Sequence, residues 1–172
     1  MKEIYKYLSN ICLLILLNAS FALNGVAGEP SYILKIITPE MALKTALAVQ
    51  DECRSQGFQV TVAVVNRAGQ LQVLLRDRYA GEHTVEAAIN KAWTAASFRQ
   101  ATAQIAESTQ SNKESSGIRS VSKVLAVGGG VLIEAGGNLY GAVGVSGAPT
   151  GKQDDQCALK PLSKVNEELE IF

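Results

Sequence analysis

One histidine is present in the chain, His83, where Tyr79-Ala80-Gly81-Glu82 gives way to a helical pattern. An imidazole at the junction of a loop and a helix is well placed to be an axial metal ligand. The same position suits a residue that helps cap the helix and bonds to Asp77 or a neighbouring backbone group, and this is the simpler expectation. Tyr79 offers a phenolate or a stacking ring, set against the expected role of a half-buried core tyrosine. Lys91 lies eight residues beyond His83, a little over two turns on and therefore on a neighbouring face. Together with Arg76 it could meet the carboxylates of a ligand. A solvated lysine is the expectation here, because Ala87 fills the position one turn earlier and leaves Glu86 as the nearest acid at a poor spacing.

Ser146 stands in Gly144-Val145-Ser146-Gly147-Ala148, which partly imitates a nucleophile elbow. The second glycine is misplaced and the histidine precedes the serine, so a turn serine is expected and no catalytic residue is assigned. The glycines at 128 to 130, 141, 144 and 147 permit close backbone approach to a ligand, a partner subunit or a packed helix. No Gly-Lys-Ser/Thr follows the triple glycine, which argues against a phosphate cradle.

The elements that must position these residues follow from periodicity and punctuation. Thr38-Pro39-Glu40 starts a helix that should end at Gly57, with Ala42, Ala46, Val49 and Cys53 on one apolar face. Phe58 to Val64 and Leu71 to Leu75 alternate around Asn66-Arg67-Ala68-Gly69, a β-hairpin with one face on a core. His83 to Phe98 returns to helical spacing, Ala101 to Thr109 makes a shorter helix, and Ser111 to Ser122 reads as a loop with a helical turn. Val124 to Val127 and Val131 to Ile133 read as strand, joined to Leu139 to Val145 by a tight turn at Gly136-Gly137-Asn138. From about Lys152 the chain is helical, with Pro161 expected to kink or divide it. The order predicts an α/β (α+β) fold, an antiparallel sheet with helices packed on it.

Sixteen Lys plus Arg balance sixteen Asp plus Glu, so the electrostatic footprint of a nucleic-acid partner is missing. Lys2 and Lys6 precede the apolar run Ile11 to Leu17, and small residues follow from Ala19 to Ala27. This is the order of a secretory signal over residues 1–27, cleaved between about 22 and 27, and leaves a single domain over 28–172. A retained anchor is the alternative, although the run is short for a span; after processing no stable membrane span is expected. The protein is therefore expected to be periplasmic or secreted. Cys53 and Cys157 are then the only thiols, in a compartment where thiols oxidise. An intramolecular disulfide is expected, with two buried free thiols as the alternative. Their spacing is not that of a zinc site, and one histidine does not make a Cys/His cluster.

Several separated motifs, in order, are similar to the GlcG/HbpS family: Val62-Ala63-Val64-Val65-Asn66-Arg67-Ala68-Gly69, Arg76-Asp77, Lys91 through Phe98, Gly128-Gly129-Gly130-Val131-Leu132-Ile133, and Gly141 through Pro149. The resemblance covers roughly residues 38–157. It implies profilin-like layers, assembly into dimers or larger homo-oligomers, and in some members haem binding. It departs from the family where a ligand matters. Of an acidic pair at three-residue spacing, only Glu86 is matched, because Ile89 holds the other position, and a hydroxyl used near the iron in one branch falls at Val124. The signal pattern and the resemblance together give the expectation of an exported small-ligand-binding protein that sequesters or senses a small molecule, haem first. The residues themselves offer His83 for the iron, with Glu86, Lys91, Arg76 and Tyr79 as further ligand-binding candidates. An enzyme acting on an unknown small molecule and a structural subunit of an oligomeric assembly are the alternatives.

Overall fold

The structure, a computed structural model, describes residues 33–171; the expected signal region over residues 1–27 lies outside the described residues. The compact unit begins at Lys35. Helix α1 spans Pro39–Ser55, strands β1 and β2 span Thr61–Asn66 and Leu71–Arg76, and helices α2 and α3 span His83–Phe98 and Thr102–Ser108. A 3-10 turn at Glu114–Ser120 leads to strands β3 (Gly130–Ala135) and β4 (Asn138–Ser146) and the last helix, α4 (Gly151–Leu169). The four strands form one antiparallel sheet in the order β2-β1-β4-β3. No helix among the described residues is long and apolar enough to cross a membrane.

Local chemistry sets most of the boundaries. The Thr38 hydroxyl accepts from Met41 N at 3.2 Å and Pro39 occupies the first turn of α1. At the other end Gly57 takes φ +84°, Gly57 N donates to Arg54 O and Phe58 N donates to Cys53 O, a Schellman closure. In the first hairpin Asn66 Oδ1 accepts from Ala68 N at 2.9 Å and Gln70 N at 3.1 Å. The second hairpin turns on Gly136 and Gly137, both at positive φ, as a two-residue turn matched to strand twist requires.

The sheet is covered on both faces. Val62, Val64, Val143 and Val145 pack against α1 and α4, and Ala63, Val65 and Ala142 pack against the alanines of α2. Strand β1 is buried at all six positions, which corrects the expectation of a hairpin with one covered face. Its alternation is Val against Ala and Thr rather than apolar against charged, so it suits a central strand between two helical layers. Helix α2 lies close on β4 because Gly144 has no side chain: a Cβ there would overlap the Ala88 carbonyl.

Two further expectations change. Residues 124–127 are not strand; Lys123 has φ +70° and Leu125 N donates to Thr94 Oγ1 at 3.0 Å, so this segment bonds to α2 instead of to a strand. Helix α4 is not divided at Pro161, which is buried within it; the missing N–H deprives one carbonyl, that of Cys157, of its helical donor.

Cys53 of α1 and Cys157 of α4 are fully buried and joined in a disulfide, with Cα atoms 5.0 Å apart and a sequence separation of 104. Closing so long a loop restricts the unfolded chain, by up to about 4.7 kcal/mol in the chain-entropy account. The Cys53→Ala/Cys157→Ala double variant is expected to lose about 2–5 kcal/mol of stability in urea unfolding; an unchanged midpoint and slope would contradict this.

Candidate functional site

Strand β2 ends at Arg76, and the short loop that follows delivers the chain to the first turn of α2. The buried Asp77 carboxylate holds its base: Oδ1 accepts from Arg54 Nε at 2.8 Å and Nη2 at 2.6 Å, and Oδ2 accepts from Val60 N at 3.1 Å. Ala80 N donates to Asp77 O, Arg76 Nη2 donates to Ala80 O at 2.6 Å, and Thr84 N donates to Gly81 O. Thr84 Oγ1 and Thr61 Oγ1, both buried, share a 2.7 Å hydrogen bond that fixes the start of α2 to β1.

His83 is the first residue of α2 and is exposed. Its ring lies over the backbone of Gly81, where a Cβ would stand 2.6 Å from Cε1. Among the described residues the imidazole makes no hydrogen bond, and Asp77, its expected partner, is committed to Arg54 and Val60. Helix α2 receives no side-chain cap. Tyr79 is 79% exposed, which corrects the expectation of a core tyrosine: the loop carries it outward from a strand end. Glu86 is exposed one turn beyond His83, and Arg76 is exposed at the loop base. His83, Tyr79, Arg76 and Glu86 therefore cluster around one loop and one helical turn.

Lys91 is elsewhere and is not solvated. Its ammonium, 4% exposed as a residue, donates to Asp154 Oδ2 at 2.7 Å and to Val145 O at 2.9 Å. Asp154 Oδ1 accepts from Ala148 N at 3.0 Å, so both carboxylate oxygens are used. Burial pushes the Asp154 carboxyl above the ordinary carboxylate range, and its bonds to Lys91 and Ala148 oppose that shift. Next to it, Asp155 is also raised by burial while its Oδ1 accepts from Gly129 N at 2.6 Å.

The triple glycine serves this arrangement. A Cβ at Gly129 would stand 2.8 Å from Lys91 Nζ, one at Gly128 would meet Asp155, and one at Gly130 would meet the Lys91 carbonyl and Thr102. Of the roles open to these glycines, the geometry selects packing against the chain's own helices. Asp154, Asp155 and Arg54 were not singled out from the sequence; Asp154 lies 63 residues from Lys91, and no local pattern links them. Ser146 is buried at the end of β4, opposite Thr61.

A layered α+β domain with an exposed imidazole at a pinned helix start defines the class in which comparisons fall. A family model described as haem degrading protein HbpS-like matches residues 37–163, and the chain belongs to this HbpS-like family. It is 32% identical over 133 residues, 76% of this chain and 93% of the relative, to a 15.0 kDa protein encoded in the dhaT-dhaS intergenic region of Citrobacter freundii. Among solved structures it is similar to a double Glu-to-Asp variant of Streptomyces reticuli HbpS, with TM-score 0.74, 31% identity and coverage of 80% of this chain and 92% of that one. It is also similar to PduOC in a complex with heme, with TM-score 0.71, 26% identity and coverage of 76% and 96%.

Removing one member of a buried ion pair strands the other charge, whereas replacing both with apolar groups does not. Lys91→Met is therefore expected to cost about 3–5 kcal/mol, and Lys91→Met/Asp154→Leu to recover most of that loss. Urea unfolding of the two variants checks this; a double variant no more stable than Lys91→Met would contradict it.

Proposed function

We propose that this protein is exported and binds haem, to sequester or sense it, with His83 as the axial ligand of the iron. The observation that carries the reading is the exposed imidazole of His83, without a hydrogen-bond partner among the described residues, on a loop and helix start held by Asp77 and Thr84. Membership of the HbpS-like family and similarity to PduOC, solved as a heme complex, support it.

The residues present fit an open haem site in part. An imidazole whose nitrogens bond to none of the described residues suits ferric or ferrous iron. The Arg76 guanidinium gives one N–H to Ala80 O and retains others for a propionate. Glu86 stands at the same end of the site, and Tyr79 supplies an exposed ring or, in place of His83, a phenolate. Lys91 does not fit a propionate, because its ammonium is taken by Asp154 and Val145. Bound haem would supply the redox-active iron; the chain's own task at this site is to hold it. Since His83 and Tyr79 lie on an open surface, self-association into a symmetric dimer or larger assembly would shield the porphyrin. The Cys53–Cys157 bridge supports a periplasmic or secreted location, where disulfides persist.

Hemin titration of the mature protein is expected to give a Soret band that His83→Ala abolishes or shifts without altering circular dichroism, whereas Glu86→Ala weakens binding and keeps the spectrum. Light scattering on the same samples should read a mass above the monomer. An unchanged spectrum and affinity in His83→Ala would remove histidine ligation, and no hemin binding at all would remove the haem reading.

Export predicts that intact-mass measurement of protein from an envelope or culture fraction finds a chain shortened by roughly 22 to 27 residues. Full-length protein confined to the cytoplasm would overturn it.

A further inference from the structure

Strand β3 is an outer strand of the sheet, and its main-chain groups are only partly protected. Val145 N donates to Gly129 O at 2.8 Å, and these two residues stand opposite each other one step before Gly130 and Gly144. Alternation along an antiparallel ladder then directs the N–H and C=O of Val131 and Ile133 toward β4, and those of Gly130 and Leu132 outward. At Gly130 the outward groups are satisfied within the chain: Thr102 Oγ1 of α3 accepts from Gly130 N at 2.8 Å and donates to Gly130 O at 3.4 Å. Leu132, two residues on, has no such cover among the described residues.

A cleft of about 400 Å³ opens at that point, with Ala101 and, in α3, Gln104 on one side and Leu159, Ser163 and Asn166 of α4 on the other. Asn166 Oδ1 is buried without a hydrogen-bond partner among the described residues, and Leu159 is 54% exposed. Glu134 is the one charged side chain in the lining. The cleft thus combines an outward N–H and C=O on a strand edge with apolar surface on both sides.

We propose that this cleft receives an extended, basic peptide segment as a fifth strand beside β3. Two requirements select that chemistry. The outward N–H and C=O of Leu132 match the spacing of another extended backbone. A Lys or Arg of the guest placed across from Glu134 supplies the opposite charge. The guest's alternate side chains would fall toward α3 and toward α4. The cleft is lined by none of His83, Tyr79, Arg76 and Glu86, so the proposal stands apart from the haem site.

The test uses the mature, disulfide-bonded protein, ¹⁵N-labelled, and the synthetic peptide acetyl-Val-Lys-Val-Lys-Val-amide. The expected result is a shift of the Leu132 backbone amide and the Asn166 side-chain amide at millimolar peptide or below. Methylation of the peptide's backbone nitrogens should abolish binding, and Glu134→Lys should weaken it about two- to fivefold. No shift at Leu132, equal binding of the methylated peptide, or shifts confined to other surfaces would overturn the proposal. So would protection of the Leu132 amide that grows with protein concentration and without peptide, since a second copy would then hold the edge.

Discussion

The ammonium of Lys91 is withdrawn from water at the point where α2, the end of β4 and the start of α4 meet, and the surrounding backbone is arranged to accommodate it. A buried lysine of this kind is tolerable only when an anion and a further acceptor complete its shell. Asp154 and the Val145 carbonyl do so. Because α2 covers one face of the sheet and α4 the other, the pair ties the two helical layers together past the strand ends. Glycines at 128, 129 and 130 follow from this constraint: the segment must pass between Lys91, Asp155 and Thr102 with no side chains of its own.

Around that tie the two faces are built differently. Helix α2 meets the sheet through alanines and through Gly144, so helix and strand backbones come very close and little side-chain volume lies between them. On the opposite face Val62, Val64, Ile133, Val143 and Val145 of the sheet meet Val49 of α1 and Leu162, Val165 and Leu169 of α4, and the disulfide links the two helices there. Close packing leaves α2 little freedom to shift. Its first turn is further fixed by the Thr61–Thr84 hydroxyl pair and by the Asp77 clamp on the preceding loop.

This rigidity bears on the role proposed for His83. The side chain is exposed, but its Cα is the first helical position on an element that cannot easily move, which is the arrangement a positioned ligand needs. The family to which the chain belongs frames the proposed haem reading, and the residues this chain offers for it are one imidazole, an exposed tyrosine, and Glu86 without an acidic partner at Ile89. Burial of Lys91 reduces the basic groups available there to those on the β2–α2 loop and its flanks.

Much of this was legible from neighbouring residues alone. The His83–Phe98 helix has the bounds its periodicity predicts, Thr38-Pro39 and Gly57 mark the ends of α1, and paired glycines turn the second hairpin. Such features are set by backbone preferences and by contacts within a few residues, so they are written locally. The exposure of Tyr79, the burial of β1 on both faces, the bonding of residues 124–127 to α2 and the partner of Lys91 were not legible in this way. Each depends on which distant segment arrives beside the residue. Lys91 and a solvated surface lysine have the same local sequence requirements; only the folded chain, which brings Asp154 within 2.7 Å across 63 residues, distinguishes them.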